Sequence, residues 1–279
     1  DLKWLAREIT SSRAYQRQAI ENEDEDDLLG TRWFTSPQRR RMTAEQLLDS
    51  LFAAVGKDLD SELLTLDNDY RRSISTFLNL GFPKRAWEFT TLSNDRDRPA
   101  LSMPKTQAII DLLKEFGWRE TRQGARTVRD DSPNVLQPAA LANGSVGNGR
   151  VSRLSDDCEI TELCLTDQSL IQLVNDVFER ILTRSPANDE LLLFVKFLKP
   201  GYKQRLVKNP QRKAREYDKS LLLSWSNHLN AKSTDIKYEV EQKARLGDEP
   251  TPRLTKDWRG RMEDMVWACL NSPEFLFIP

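Results

Sequence analysis

The sequence predicts a mainly α-helical fold, an irregular multi-helix domain with a small β element around residues 70-80. In most segments apolar residues recur three or four positions apart, which places them on one face of a helix. The stretch from Tyr70 to Leu80 is instead the best strand candidate, because polar and apolar residues alternate over Ser73 to Phe77. No repeat of fixed period is present, so a solenoid is not expected.

The first two helices have clear sequence signals. The chain opens on an amphipathic helix whose apolar residues begin at Leu2. Further along, Thr43 and Gln46 match a capping box, and Gly56 ends the helix that they begin. The buried stripe expected of this second helix comprises Leu47, Leu48, Leu51, Phe52 and Val55.

Proline and glycine mark the ends of the next helices. Pro104 suits a first helical turn, and Gly117 suits the end of the same helix. In "SPNVLQPAALANG" we expect Ser132 to cap a helix, Pro133 to take its first position, and Gly144 to end it in a left-handed conformation.

The glycines that follow in "GSVGNG" raise the question of a phosphate-binding loop. Such a loop needs glycines before a helix N-terminus, where free N–H groups hold the anion. Here the glycines follow a helix C-terminus, so we interpret Ser145 to Gly149 as a flexible connector. Pro138 is expected to kink the preceding helix.

The sequence predicts nearly continuous helix in the C-terminal part of the chain. Asp167 is predicted to open one helix and Asn188 the next, and "PEFLFIP" is expected to end the chain in extended form. The last helix is expected to bury a face made of Trp258, Met262, Met265 or Val266, and Cys269.

The chain is interpreted as a single helical domain, residues 1-279, and as a piece of a longer protein because it begins without Met. Residues 203-254 are basic and poorly periodic, and they are predicted to form an insertion within that domain. The apolar run "LLLFVKFL" is too short to span a bilayer and is interrupted by Lys196, so no membrane-spanning segment is expected.

Charge and composition bear on possible partners. The formal net charge of -1 creates no overall field that would attract nucleic acid. The basic stretches Arg39 to Arg41 and Lys208 to Arg215 lack interleaved aromatic residues, so no nucleic-acid partner is expected. The acidic run from Glu21 to Asp27 is interpreted as a solvated segment.

The cysteines and the histidine argue against several cofactors. Cys158, Cys164 and Cys269 have no CxxC spacing, and we expect buried free thiols rather than a Cys158–Cys164 disulfide. His228 is the only histidine, so any catalytic triad must include it, and a site that needs two imidazoles cannot form within this chain. No cofactor is predicted for this segment.

Paired aspartates leave an acid/base enzyme as an open alternative. Two carboxylates can carry out glycoside hydrolysis when they converge in a cleft lined by aromatics such as Trp33, Trp87 or Trp118. Asp95 and Asp97 lie in a turn-like segment, and with Asn94 they offer oxygen ligands to calcium, although the usual glycine and distal glutamate are missing. The full set of candidate catalytic residues is Asp95, Asp97, Asp130 and Asp131.

The order of motifs adds a family resemblance. The motifs, in order, are "DLKWLAREITSSRAYQRQ", "RRRMTAEQLLDSL", "YRRSISTFL", "DSPNVLQPAALANG", "LVNDVFERILTRSPANDELLLFVKFL" and "MVWACLNSPEFLFIP". Together they resemble a planctomycete-specific domain of unknown function that forms the C-terminal part of large cell-envelope or secreted proteins. The resemblance spans nearly the whole chain.

The resemblance implies a context rather than a reaction. It implies a cell-envelope, periplasmic or secreted location, upstream domains in the same polypeptide, and haem c in an upstream cytochrome c-like domain. Two functions follow as alternatives: a non-catalytic interaction or structural module, or a polysaccharide-acting enzyme with a carboxylate pair. Arginines at the start of two family motifs are candidate anion-binding residues: Arg39, Arg40, Arg71 and Arg72.

Overall fold

The structure is a computed structural model of the 279-residue chain. It describes residues 1-17, 40-62, 64-65, 79-91, 103-118, 132-211 and 229-278. The described residues are mainly helical with small antiparallel sheets, which confirms the predicted fold class. The α-helices are α1 (Leu2–Ser11), α2 (Ala44–Val55), α3 (Ala86–Thr91), α4 (Pro104–Glu115), α5 (Leu136–Asn143), α6 (Glu159–Leu165), α7 (Leu170–Leu182), α8 (Asn188–Leu198), α9 (Ser233–Leu246) and α10 (Lys256–Leu270).

The strands are short and form two-stranded ladders. β1 (Arg40–Arg41) pairs antiparallel with β4 (Phe277–Ile278), and β2 (Leu64–Thr65) pairs antiparallel with β3 (Asn79–Gly81). β3 coincides with the end of the predicted strand, whose residues 70-78 lie outside the described ranges. The predicted extended C-terminus is only partly correct, because Pro273–Leu276 form a 3-10 turn before β4.

The chain divides into two compact units. One comprises Asp1–Met42 and Pro273–Pro279, with α1 and the β1–β4 ladder among its described elements. The other is Thr43–Ser272, and it contains α2 to α10. Its core is built from the stripes predicted for α2 and α10, together with one face of α7. The buried residues of α7 are Leu173, Val174, Val177, Phe178, Ile181 and Leu182.

The predicted helix signals of α2 and α4 are confirmed. The Thr43 hydroxyl accepts a hydrogen bond from the Gln46 N–H, the Gln46 side chain accepts one from the Thr43 N–H, and Gly56 is left-handed at φ 68°. Pro104 is the first residue of α4. At the other end of α4, the Gly117 and Trp118 N–H groups donate back into the last turn, as in a Schellman motif.

The helix boundaries predicted around α5 are wrong. Ser132 does not cap the helix; the Asn134 side chain accepts from the Leu136 N–H at 2.7 Å, so the helix begins after Pro133. Pro138 is the third helical residue. A backbone N–H at this position would have no intrahelical acceptor, so proline breaks no hydrogen bond and the helix continues through it. Gly144 is extended at φ -65° and ψ 152°, not left-handed.

The predicted flexible connector is instead a buried helical turn. Ser145–Val151 form one turn of π-helix, and the Ser152 N–H donates to the Gly147 carbonyl at 3.0 Å. A Cβ on Gly147 would lie 1.9 Å from the Leu141 carbonyl oxygen, so only glycine allows the chain to pass this close to the end of α5. Sequence reading missed this turn because a π-turn has no apolar period of its own.

The structure differs from the prediction at two further places, the start of α7 and the helix α9. α7 is capped by Ser169, whose hydroxyl accepts from the Gln172 N–H at 3.1 Å, rather than by Asp167. α9 lies within the segment predicted to be poorly periodic, and Ala244 is its one buried residue among those described. A helix without an apolar stripe offers no periodic signal to read. The status of residues 203-254 as an insertion stays a prediction.

Candidate functional site

The predicted site residues lie mostly outside the described ranges. Asn94, Asp95, Asp97, Asp130 and Asp131 are in this group, so the catalytic pair and the calcium site stay predictions. The following residues also fall outside the described ranges: Trp33, Arg39, Arg71, Arg72 and His228.

Three of the candidate residues lie within the described ranges. Arg40 lies exposed in β1, opposite Ile278. Trp118 is buried directly after α4, where it completes the helix-ending turn, so its ring does not line an open surface. Trp87 is part of α3, but its side chain is not among those described.

A set of buried polar contacts in the described residues was not predicted from the sequence. It centres on four buried cationic side chains of the Thr43–Ser272 unit, each of which donates to loop or helix-end oxygens. We call this set the buried cation network. Its cations are Lys57, Arg150, Arg205 and Arg253.

Lys57 forms the centre of the network. It follows α2 directly after the left-handed Gly56, and its side chain is 1% exposed. The ammonium group donates to the Arg150 carbonyl at 2.5 Å, the Arg153 carbonyl at 2.7 Å and the Asp248 carboxylate at 2.9 Å. Because an ammonium group has three N–H donors, these three acceptors saturate it.

Asp248 reaches Lys57 because two backbones approach each other closely. The Asp248 N–H donates to the Gly149 carbonyl at 2.9 Å. Gly247 has φ 78°, and a Cβ placed there would lie 2.0 Å from the same Gly149 carbonyl oxygen. Glycine at 247 is therefore required both by the backbone conformation and by the close approach.

Arg150 carries a second positive charge into the same region. Its side chain is 1% exposed, and its Nη2 donates to the Asp60 carbonyl. The guanidinium lies over the Phe52 ring, 5.2 Å from its centroid, which adds a cation–π contact. Arg150 thus ties the π-helical turn to α2 and to the chain that follows α2.

Arg253 and Arg205 hold the chain around α6. Arg253 pairs with Asp156 at 2.8 Å and with Glu162 at 2.6 Å, close to the start of α6. Arg205 donates to the Cys164 carbonyl at 2.7 Å and the Thr166 carbonyl at 2.7 Å. These carbonyls lie at the end of α6, where a cation satisfies unpaired acceptors and the negative end of the helix dipole.

Glu263 of α10 supplies a partly buried carboxylate beside the network. Its carboxylate accepts from the Leu154 N–H at 3.0 Å, and it lies 3.6 Å from Arg259 Nε and 3.9 Å from Arg153 Nε. Burial raises the pKa of Glu263 above its usual 4.5, although the Leu154 N–H and the arginines act in the opposite direction.

The three cysteines are buried free thiols, as predicted. Burial raises the pKa of Cys158 and of Cys164, so both remain protonated at neutral pH. A protonated thiol is a poor nucleophile and a poor metal ligand. The cysteines therefore contribute to packing.

The arrangement suits structural support rather than acid/base chemistry. In the network, carbonyl oxygens point inward at cations, which is the reverse of a phosphate-binding loop, where N–H groups point at an anion. Within the described ranges, no group of three or more His, Cys, Asp or Glu side chains could hold a metal ion. In the same ranges, no helix combines the length and apolarity needed to cross a bilayer.

A sequence signal for the network does exist. Lys57, Arg150 and Asp248 each follow a glycine directly. Gly56 and Gly247 have positive φ angles, so these two glycines mark turns that deliver Lys57 and Asp248 to the network. Gly56 was predicted only as a helix end and Gly149 only as part of a connector, and the charged residues beside them were not considered.

Comparison with known proteins identifies a family. A model of the PSD1 family, described as a protein of unknown function (DUF1553), matches residues 1–198, well over half of the chain. No curated protein and no solved structure matches the chain significantly.

Proposed function

The chain belongs to the PSD1 family of unknown function (DUF1553), and we propose that it acts there as a non-catalytic helical interaction or structural module. The observation that carries this proposal is the saturation of Lys57. All three donors of this buried ammonium are bound by fixed protein oxygens, two of them backbone carbonyls. A catalytic lysine needs a free position for substrate or for proton transfer.

The other cations of the network support the same conclusion. Arg205 and Arg253 are directed at carbonyls and carboxylates of the chain around α6. They make the fold rigid where regular hydrogen bonding is interrupted, because orphan carbonyls at helix ends need donors. A rigid helical scaffold suits a module that presents surfaces to partners.

Exposed apolar helix surface supports the interaction part of the proposal. α1 is amphipathic, yet it has no buried residue. Leu2, Leu5 and Ile9 share one face and are 84%, 47% and 50% exposed. An apolar face of this kind is typical of a surface that contacts a partner. We propose upstream domains of the same polypeptide as that partner, in line with the resemblance noted above.

We also propose a cellular context for the module. A cell-envelope, periplasmic or secreted location, and haem c in an upstream domain, are supported by the motif resemblance alone.

Hydrolysis assays with the 279-residue chain test the non-catalytic proposal. The wild type and a variant with Asp95→Asn, Asp97→Asn, Asp130→Asn and Asp131→Asn are incubated with a polysaccharide panel, and released reducing ends are measured. We expect equal background release from both proteins. Release by the wild type that disappears in the variant would support the alternative, an enzyme with a carboxylate pair.

A binding assay tests the interaction proposal separately. The preceding segment of the full-length protein is titrated in trans against the wild type and against a Leu5→Glu/Ile9→Glu variant. We expect the double variant to bind more weakly, because it places two charges on the apolar face of α1. Leu246→Glu is the control, since Leu246 is exposed on another helix. Equal binding by all three proteins contradicts a role for α1.

A further inference from the structure

One face of α8 carries an unusual exposed pattern. Leu192 is 71% exposed and Leu193 is 63% exposed, although both lie in the middle of a helix. Asp189 and Lys196 flank them and are also exposed. We call these four residues the α8 face.

Helix geometry places the four side chains together. At about 100° per residue, Asp189 and Lys196 lie two turns apart in nearly the same direction, with Leu192 and Leu193 on either side of the line that joins them. The α8 face therefore presents an apolar centre with a negative end and a positive end.

The fold packs the opposite side of α8. Leu198 is fully buried there, and the Phe194 ring meets the Phe178 ring edge-on with centroids 5.6 Å apart. In the part of the chain that the structure describes, neither Asp189 nor Lys196 forms an ion pair. The charges of the α8 face are thus available to an outside partner.

We propose that the α8 face binds the α8 face of a second copy of this chain in antiparallel orientation. A two-fold axis between Leu192 and Leu193 brings the leucines of both copies together at the centre. The same axis places Asp189 opposite Lys196 of the other copy, and it does so twice. A parallel pairing in the same register would oppose like charges, so the charge pattern selects the antiparallel arrangement.

This inference deepens the proposed function, on which it rests, by naming one partner of the module. A contact made by one short helix from each copy is small. Such a contact is expected to give a concentration-dependent dimer with a Kd on the order of 100 µM. Four leucines supply its apolar centre, while the ion pairs set its orientation.

Sedimentation velocity of the full 279-residue chain across a concentration series tests the inference. The wild type is expected to show a monomer–dimer equilibrium. Lys196→Asp leaves two acidic residues on each face, so two attractive contacts become repulsive and the Kd rises about tenfold or more. Leu193→Glu removes apolar contact at the centre and is expected to abolish the dimer.

Charge exchange supplies the decisive control. The double variant Asp189→Lys/Lys196→Asp exchanges the two ends of the α8 face, so antiparallel pairing is restored and the dimer is expected to return. Leu246→Glu, at a position on α9 that is also 71% exposed, is expected to leave the dimer unchanged. Circular dichroism verifies that each variant is folded.

Two results would overturn the inference. One is a wild type that remains monomeric up to about 1 mM, where even a contact worth about 4 kcal/mol populates the dimer. The other is a dimer that Lys196→Asp and Leu193→Glu leave intact. Neither result depends on the hydrolysis assays, which test the non-catalytic proposal by itself.

Discussion

The helical hairpin α7–α8 and the segment from Gly144 to Cys158 are held in place by different combinations of interactions. α7 buries a continuous apolar stripe, and its contact with α8 includes the Phe178–Phe194 ring pair. The segment from Gly144 to Cys158 contains a π-turn and loops, and buried cations bind its carbonyl oxygens. The difference shows that the irregular segment, which buries apolar side chains such as Val151 and Leu154, is held in addition by charge-assisted hydrogen bonds to its carbonyl oxygens.

The largest expected effect comes from removing the centre of the network. Lys57→Met keeps much of the side-chain volume but leaves Asp248 and two carbonyls without their donor. We expect the free energy of unfolding to fall by about 3–5 kcal/mol, because an unpaired buried charge remains. Chemical denaturation measures the change.

A surface lysine provides the matched control. Lys243 pairs with Glu239 at 2.8 Å across one turn of α9, and both side chains are more than half exposed. Lys243→Met is expected to change the free energy of unfolding by less than about 1 kcal/mol. If Lys57→Met and Lys243→Met lower the free energy of unfolding equally, burial of Lys57 does not strengthen its contribution to stability.

On the hairpin side, Leu173→Ala removes a fully buried side chain from α7. The lost apolar contact and the cavity left behind are expected to lower the free energy of unfolding by about 3 kcal/mol. Ile171→Ala, at a position that is 55% exposed on the same helix, is expected to cost much less. If Ile171→Ala lowers the free energy of unfolding as much as Leu173→Ala does, the buried apolar stripe of α7 is not what stabilises the hairpin.

A smaller effect is expected where two backbones meet beside Lys57. Gly247→Ala introduces a Cβ that would overlap the Gly149 carbonyl oxygen, in a backbone conformation that alanine rarely adopts. We expect a loss of about 2 kcal/mol, measured by denaturation. Gly260→Ala in α10 is the control, because a Cβ there meets nothing within 4 Å and alanine favours the helix.

The smallest effect concerns pH and Glu263. Burial raises the folded-state pKa above the usual 4.5, so the protonated form favours folding. The resulting stability is fully present below pH 4.5 and is lost as the pH rises through the folded-state pKa. Wild type should therefore lose stability relative to Glu263→Gln as the pH rises, as measured by denaturation at several pH values. A wild type that gains relative stability over that range would show the opposite pKa shift.

The regular elements could be predicted from sequence because their signals are local. The capping box of Thr43 and Gln46 lies within one helical turn, and the stripes of α2 and α10 repeat at helical spacing. The helical fold class and the family of unknown function followed from these signals and from motif order.

The buried cation network could not be predicted in the same way. Lys57 and Asp248 are 191 positions apart in the chain, and two of the three acceptors of Lys57 are backbone carbonyls. Every residue has a carbonyl, so no residue type identifies the acceptor. α9 was missed for a related reason, since its helix buries little and shows no apolar stripe.

Amide hydrogen exchange tests the central claim most directly, namely that buried cations hold the irregular segment. The Asn148 and Ser152 N–H groups are hydrogen-bonded within that segment, and the Val177 N–H in α7 serves as the reference. In Lys57→Met, the opening free energy at Asn148 and Ser152 is predicted to fall further than at Val177. An equal fall at all three amides, or a larger one at Val177, would contradict the claim.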